Sequence, residues 1–335
     1  MILPVHTHPT LTVLIDDSDS FLKSLAFQLD PALARKTFHD TSAALHWLRH
    51  STQQGETPLH VNFDTQNLPP DQCNVALDIE RIWRISARPQ RFATPSVLVV
   101  DYSMPQMNGL EFCQAVRDLP CKKILFTGAA DEKVAVTAFN RGLIDRYIKK
   151  SDDNALDILE HEIAGLQREF FLQQSDTVRD LLVLHDYQFL QDEAMAAVVL
   201  ELCRRHGFVE HYIFPNPGGI LFFTREGQAR LMVIETERSL HTQYEMARDS
   251  DAPESLLLAL LERRVIPYFS DADSDGMYSA SIGENWFRYC AAPTVCAGHE
   301  TYYWALFDLP AHQLGQPVLS HAQFLRAQAR ESLAA

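Results

Sequence analysis

The chain contains four short runs rich in apolar residues, and each run ends abruptly in polar side chains. Such runs favour strands buried on both faces, as in a parallel sheet, over the alternating pattern of half-exposed strands. Stretches with helical spacing separate them, and Arg35–Phe38 has the pattern of a shorter strand, which predicts an α/β domain with a parallel sheet. The four runs are Leu11–Asp17, Val97–Asp101, Lys123–Gly128 and Arg146–Ser151.

The side chains that end these runs are the candidate functional residues. They are Asp16 and Asp17, Asp101, Thr127 and Lys150. The carboxyl ends of parallel strands meet at one edge of the sheet, where open α/β sheets bind their ligands, so we expect these residues to share one crevice. Three neighbouring carboxylates stay ionised together only if a cation lies between them. Mg²⁺ takes one or two carboxylates together with water and phosphate oxygens.

A carboxylate in such a crevice can act as a nucleophile and form an aspartyl phosphate. A nearby ammonium and hydroxyl can bind the remaining phosphoryl oxygens and spread the developing charge. The alternative, from the residues alone, is a flavodoxin-like sheet with incidental acids at its rim. An acid pair, a lone acid, a threonine and a lysine at four successive run ends favour the phosphoryl chemistry.

Residues 11–165 resemble the receiver domain of bacterial two-component response regulators. The resemblance rests on four motifs that are specific when taken together: Ile-Asp-Asp, Val-Val-Asp-Tyr-Ser-Met-Pro-Gln-Met-Asn-Gly, Leu-Phe-Thr-Gly and Tyr-Ile-Lys-Lys. It implies that Asp101 accepts a phosphoryl group from a histidine kinase, a phosphotransfer protein or a small phosphodonor. It also implies a five-stranded, doubly wound parallel sheet flanked by helices, and a surface around the fourth and fifth strands and helices that changes on phosphorylation.

The resemblance further implies a role for each of the other site residues. The implied roles are Mg²⁺ ligand for Asp17, Asp101 and the backbone carbonyl of Ser103, water-mediated ligand for Asp16, switch hydroxyl for Thr127, phosphate-binding ammonium for Lys150, and rotating aromatic ring for Tyr147. On this view the receiver domain catalyses only its own phosphorylation and dephosphorylation.

One departure from the family pattern follows the lysine. The family usually has a proline there, with a cis peptide bond, but Ser151 follows Lys150 in this chain. Without proline a cis bond costs about 3 kcal/mol. A trans bond would aim Lys150 differently, and Lys149 is then a competitor. Alternation of side chains along the strand favours Lys150, because Tyr147 and Lys149 share one side of the strand while Ile148 and Lys150 share the other.

The second departure is the long segment between the acid pair and Asp101. Asp17 and Asp101 are 84 positions apart, and the surplus falls in residues 51–95. Asn74–Ile85 within this segment has the spacing of a helix. One interpretation is a docking element or lid beside the phosphorylation edge. The other is a helix that covers an exposed flank of the receiver domain.

The remaining segments predict a second domain and a linker. Residues 1–10 are interpreted as a solvated lead-in, residues 151–175 as a helix that extends into a linker, and residues 176–335 as an α+β output domain with a mainly antiparallel sheet. The linker helix has apolar residues at intervals of three and four. Leu166 and Phe170 lie beyond the usual end of a receiver helix, so we expect them to contact a second protomer, forming a homodimer, or the output domain.

Charge is distributed unevenly between the two parts of the chain. Residues 1–150 hold 16 basic and 16 acidic residues, whereas residues 151–335 hold 13 basic and 28 acidic ones and therefore the whole net charge of −15. DNA-binding domains need a basic face, so this balance argues against DNA binding. The six scattered cysteines, with no C-x-x-C pair, indicate reduced thiols and a cytoplasmic location. No apolar run reaches the length of a membrane span.

The function of the output domain is less constrained by the sequence. Our main hypothesis is that it acts by binding a protein or a small ligand. The alternative is a receiver-gated enzyme acting on a nucleotide or phosphodiester, which acidic strand ends at Glu235 and Glu237 mildly favour. Residues 271–276 match the start of an EF-hand loop, but the closing position of that loop is Ile282 instead of a glutamate.

Overall fold

The computed structural model describes residues 2–51, 59–62, 74–128, 132–269, 278 and 283–334. The chain forms two compact units, and each unit gathers segments that are distant in sequence. The parallel-sheet unit consists of His8–Thr57, Pro89–Gln174 and Phe324–Ala335. The antiparallel-sheet unit consists of Met1–Thr7, Pro58–Arg88 and Ser175–Gln323.

The secondary structure alternates between strands and helices in the first half of the chain. The strands are β1 (His6–Thr7), β2 (Leu11–Ile15), β3 (Arg35–Phe38), β4 (Leu59–Asn62), β5 (Asn74–Leu77), β6 (Pro95–Val100), β7 (Lys122–Thr127), β8 (Arg146–Lys149), β9 (Phe208–Pro215), β10 (Gly218–Thr224), β11 (Ala229–Thr236), β12 (Ile266–Pro267), β13 (Cys290–Ala291), β14 (Thr294–Ala297) and β15 (Thr301–Leu309). The α-helices are α1 (Asp19–Gln28), α2 (Thr41–Ser51), α3 (Glu80–Trp83), α4 (Gly109–Ala115), α5 (Glu132–Asn140), α6 (Ala155–Val183), α7 (Glu193–His206), α8 (Glu237–Asp249), α9 (Glu254–Leu261) and α10 (His321–Ala334). Within the described ranges, none of these helices has the length and apolar character needed to cross a membrane.

The parallel-sheet unit is built around a five-stranded sheet in the order β3-β2-β6-β7-β8. Every neighbouring pair of strands in it is parallel, which confirms the predicted doubly wound α/β fold. All six residues of β6 are buried. Val97 and Val99 face helices α1 and α6, whereas Leu98 and Val100 face α2 and α4. Because both faces are apolar, the strand ends are where polar side chains can gather.

The structure argues against the predicted contact of Leu166 and Phe170 with a second protomer. Helix α6 continues through Val183, and Leu166 is fully buried in the cluster that also contains Val97 and Val99. Phe170 is 5% exposed, and its ring lies 5.3 Å from the ring of Phe171. Both side chains are therefore buried within this chain, and neither has an exposed face to offer a second protomer.

The antiparallel-sheet unit contains a six-stranded sheet in the order β1-β9-β10-β11-β15-β14. All neighbouring pairs are antiparallel, as predicted for the second domain. Met232 of β11 packs in the cluster formed with helix α7, while Leu231 and Val233 pack in the cluster formed with α8. Alternate residues of one strand thus contribute to cores on both faces of the sheet.

The first residues of the chain are an edge strand of this sheet, and the predicted solvated lead-in is wrong. His6 pairs with Tyr212, and Thr7 pairs with His211 of β9. Leu3 and Val5 are 3% and 2% exposed within the core of the unit. Burial of these two apolar side chains and pairing with β9 hold this segment in place, although its sequence has no pattern typical of a strand.

The structure also corrects both interpretations of the segment between residues 51 and 95. Its described residues 59–62 and 74–88 belong to the antiparallel-sheet unit, although both interpretations placed the segment on the receiver domain. Strands β4 and β5 form an antiparallel pair, so residues 74–77 are not helical, and helix α3 begins only at Glu80. Ile82 is 1% exposed in the core that contains Phe208 and Ile213.

The end of the chain returns to the parallel-sheet unit, contrary to the predicted single output domain of residues 176–335. Residues from Phe324 onward belong to this unit. The ring of Phe324 lies 5.5 Å from that of Phe92, and the N–H of Arg35 donates to Oε1 of Gln328 at 3.4 Å. Helix α10 therefore packs beside the edge strand β3.

We expect His6 to make the antiparallel-sheet unit sensitive to acid. Burial, and then the neighbouring His211, lower the pKa of His6 from 6.5 to about 4. Between these two values the unfolded chain binds the proton more strongly than the folded chain does. The contribution of His6 to the free energy of unfolding is therefore fully present above pH 6.5 and is lost as the pH falls toward 4. The loss at pH 5 is about 2 kcal/mol. Denaturant unfolding at pH 7.5 and pH 5 should show a smaller loss for His6→Gln than for the wild type; equal losses would contradict the assignment.

Candidate functional site

The ammonium of Lys150 lies between two buried carboxylates at the carboxyl edge of the parallel sheet. Its Nζ is 2.6 Å from Oδ2 of Asp16 and 2.7 Å from Oδ1 of Asp101. Asp16 and Asp101 are 5% and 7% exposed, and buried carboxylates this close together require a cation between them. The structure thus brings three of the predicted residues together, with Lys150 as that cation.

Each carboxylate is fixed by a backbone N–H on its other oxygen. Asp101 follows β6, and its Oδ2 accepts a hydrogen bond from the N–H of Ser103 at 2.6 Å. Asp16 follows β2, and its Oδ1 accepts from the N–H of Ser18 at 2.9 Å. Ser18 is also the N-cap of α1. The turns after the two strands therefore hold one oxygen of each acid toward the backbone and the other toward Lys150.

The trans peptide bond after Lys150 does not turn its side chain away from Asp101. Among the described residues the cis peptide bond is Asn216–Pro217, so Lys150–Ser151 is trans. The N–H of Lys150 donates to the carbonyl of Thr127 at 3.0 Å, which continues the β7–β8 pairing by one residue. The competitor Lys149 is paired with Thr127 inside that ladder. It is Lys150 whose ammonium contacts Asp101.

The other predicted site residues occupy less direct positions. Thr127 is 1% exposed at the end of β7, the strand next to β6. Tyr147 is half-buried on β8 and packs against the core face that contains Val100. Asp17 and Ser103 are exposed. The structure therefore gathers Asp16, Asp101 and Lys150 by direct contact and places the remaining residues around this edge.

The oxygen donors at this edge are suited to a hard divalent cation. Across the described ranges, no group of three or more His, Cys, Asp and Glu side chains surrounds a common metal position. Asp17 is exposed, while Asp16 and Asp101 are bound to Lys150. Mg²⁺ needs only one or two carboxylates and keeps several waters, so the donor set fits this ion.

The acidic residues singled out in the output domain do not form such a set. Glu235 is 5% exposed at the end of β11, where burial raises the pKa of its carboxyl group. Its Oε1 accepts from Nε2 of Gln243 at 3.4 Å. Glu237 is exposed and pairs with Arg263 at 3.1 Å. The EF-hand-like residues 271–276 lie outside the described residues.

Sequence reasoning missed the roles of Phe21 and Gly109, which both lie beside the buried carboxylates. Phe21 has its ring 4.0 Å from Nζ of Lys150. Asn108 is the extended N-cap of α4, and its side chain forms a capping box with Glu111. Gly109 is needed for space: a Cβ there would collide with the carbonyl oxygen of Asp101.

Gly109→Ala is therefore expected to displace Asp101. Crowding of this kind costs about 1–3 kcal/mol of stability. Because the Asp101 backbone must shift, the carboxylate should leave its position against Lys150, and phosphoryl labelling should slow by at least about tenfold. Thermal unfolding and labelling by acetyl phosphate measure the two effects. Gly165→Ala, in a helix with open space around the new Cβ, is the matched control. Equal melting temperatures and equal labelling rates of the two variants would contradict the prediction.

Comparison with known proteins agrees with this geometry. Residues 74–159 match the family model described as the response regulator receiver domain. The structure of the Legionella pneumophila response regulator LqsR is 30% identical, and the match covers 96% of this chain and 95% of that chain with a TM-score of 0.77. No curated protein matches the sequence.

Two further solved structures match only about half of the chain. An adenylate cyclase from Rhodopirellula baltica is 18% identical, and the match covers 52% of this chain and 97% of that chain with a TM-score of 0.35. A CheY-like receiver domain protein from Methanospirillum hungatei JF-1 is also 18% identical, and the match covers 48% of this chain and 96% of that chain with a TM-score of 0.32.

Proposed function

The chain belongs to the family of response regulators, and we propose that it is switched by phosphorylation of Asp101. The donor is a histidine kinase, a phosphotransfer protein or a small phosphodonor. The carboxylate attacks phosphorus, an O–P bond forms, and the bond between phosphorus and the donor atom breaks with its electron pair leaving on the donor. The observation that carries the proposal is the contact of the buried Asp101 carboxylate with Lys150 at 2.7 Å.

The neighbouring groups give Asp101 the properties of a phosphoryl acceptor. Its Oδ2 is bound to the Ser103 N–H, which leaves Oδ1 as the oxygen on the Lys150 side. The Lys150 ammonium can move from the carboxylate pair to the incoming phosphoryl oxygens and neutralise their charge. Asp16 then remains as the anion that keeps Lys150 at this edge.

We assign Mg²⁺ to the same edge as the cofactor of phosphorylation. Asp17, Asp101 and the carbonyl of Ser103 would hold it, with Asp16 acting through a bound water. When bound, Mg²⁺ supplies positive charge to the phosphoryl oxygens. The oxygen-only donor set at one strand edge supports the assignment.

Thr127 and Tyr147 are the proposed switch pair. Thr127 is buried at the end of β7, the strand next to β6, so its hydroxyl lies at the same edge of the sheet as Asp101. Tyr147 is half-buried on the following strand, so its ring can exchange between partly covered and more exposed positions. The chemical change at Asp101 is thereby transmitted to β7 and β8.

The antiparallel-sheet unit is the proposed output. The excess of acidic residues after residue 150 is unfavourable for binding to DNA, so we propose an action through protein or small-ligand binding. The cellular location consistent with this role is the cytoplasm.

Labelling of the full-length protein tests the proposed function. After incubation with acetyl phosphate and Mg²⁺, intact-mass spectrometry should show the addition of one phosphoryl group per chain. Chelation of Mg²⁺ with EDTA before the donor is added should prevent the addition. An unchanged mass with Mg²⁺ present, for both acetyl phosphate and a phosphorylated histidine kinase, would overturn the proposal.

A further inference from the structure

The aromatic ring of Phe21 lies against the ammonium of Lys150, which also binds the two carboxylates. The distance from Nζ to the ring centroid is 4.0 Å, and the ring of Phe126 lies farther away at 5.9 Å. The two rings are 6.3 Å apart. The ammonium of Lys150 therefore contacts two acids and an aromatic face.

The surroundings make this cation–π contact strong. The Lys150 side chain is only 22% exposed, and the apolar side chains of Leu14, Leu22 and Leu25 lie in the same small cavity as Phe21. A cation over an aromatic face is attracted to the ring quadrupole, and the attraction grows when water is excluded. Phe21 thus stabilises the ammonium at a place where a purely apolar side chain would only desolvate it.

The backbone of Lys150 is held by the hydrogen bond from its N–H to the carbonyl of Thr127 at 3.0 Å, but the position of its ammonium depends on the groups around it. Lys150 is the first residue after β8, and the following residue is a serine, whose φ is not fixed by a ring. Phe21, by contrast, is anchored in the first turn of α1, where its N–H donates to the capping Oγ of Ser18 at 3.3 Å. The rigid element beside Lys150 is therefore the helix that presents Phe21.

We propose that Phe21 is a positioning residue for Lys150 in the phosphoryl-transfer reaction. Its ring holds the ammonium at the edge of the sheet, so that Lys150 can exchange Asp101 for phosphoryl oxygens without swinging into solvent. This inference rests on the proposed phosphorylation of Asp101. It adds Phe21 as the residue that positions Lys150, the counterion of Asp101.

Titration of the full-length protein with beryllofluoride in the presence of Mg²⁺ tests the role of Phe21. Affinity is read from the shift in melting temperature and from the heat of binding. Phe21→Leu keeps an apolar side chain but removes the aromatic face, and we expect about tenfold weaker binding. Phe21→Trp keeps the aromatic face and should bind close to wild type. Phe27→Leu, on the same helix with a side chain 90% exposed, is the matched control and should bind as wild type.

A double-mutant cycle separates positioning from general structural support. In a Lys150→Met background the ring has no ammonium to hold, so adding Phe21→Leu should produce no further loss of beryllofluoride affinity. An equal loss in both backgrounds, or wild-type affinity for Phe21→Leu, would overturn the inference. A wild-type protein that binds no beryllofluoride at all would instead overturn the proposed function, so the two failures are distinguishable.

Discussion

Asp101→Asn is expected to abolish phosphoryl labelling of the full-length protein. The amide keeps the size of the carboxylate and can still accept the hydrogen bond from the Ser103 N–H, which is 2.6 Å away in the native chain. It cannot act as the nucleophile, because an amide oxygen has neither the charge nor the basicity of a carboxylate. The expected result is an unchanged intact mass after incubation with acetyl phosphate and Mg²⁺, while the wild type gains one phosphoryl group.

Asp118→Asn is the matched control for this substitution. Asp118 is an exposed acid of the same unit, and its variant should be labelled as the wild type is. Peptide mapping of the labelled wild-type protein should place the phosphoryl group on the peptide that contains Asp101. Stoichiometric labelling of Asp101→Asn would mean that another side chain is the acceptor.

Lys150→Met is expected to destabilise the parallel-sheet unit strongly. The methionine fills similar space but leaves Asp16 and Asp101 facing each other without a cation. Removing one partner from a buried charge cluster costs about 3–5 kcal/mol. Denaturant unfolding measures the loss. Added Mg²⁺ should raise the melting temperature of the variant more than that of the wild type, because the cation can then neutralise the two carboxylates that have lost their ammonium.

Lys149→Met is the control that separates Lys150 from its neighbour. Lys149 is paired with Thr127 in the strand ladder, and its ammonium is not the one bound to Asp101. Its variant should keep the wild-type response to Mg²⁺. An identical Mg²⁺ response of both variants would show that Lys150 does not balance the two acids.

The parallel sheet and the acidic residues at the carboxyl ends of its strands could be predicted because the sequence patterns that indicate them are local. Buried strands read as continuous apolar runs, and the residue at which each run stops is visible in the sequence. This reasoning places Asp16, Asp101 and Lys150 at one edge, where the structure has them in contact. The prediction of Lys150 over Lys149 used only the alternation of side chains along a strand.

The errors arose where packing depends on distant segments. The sequence around Leu3 and Val5 has no strand-length pattern, and only pairing with β9 orders it. Leu166 and Phe170 have the spacing of an intermolecular seam, but the same spacing serves a helix that is simply longer and buried along one face. The spacing of apolar residues shows that one face of a helix is apolar, but it does not show which segment or molecule packs against that face.

The contact of Phe21 with Lys150 could not have been predicted for a related reason. In the sequence Phe21 is the first apolar residue of a helix, and that position predicts core packing. Its ring meets the ammonium only because α1 starts immediately after the Asp16 turn, capped by Ser18. The chemistry at this edge therefore depends on a side chain that has no acid–base chemistry of its own.

The pairing of β1 with β9 has a consequence for how the protein is made on the ribosome. His6 and Thr7 precede all five strands of the parallel sheet in the chain, and their partners Tyr212 and His211 emerge only after those strands. The nascent chain can therefore complete that sheet before the strand that pairs with β1 has been made. A truncated chain ending at Gln174 would keep every strand of the parallel sheet and leave β1 unpaired.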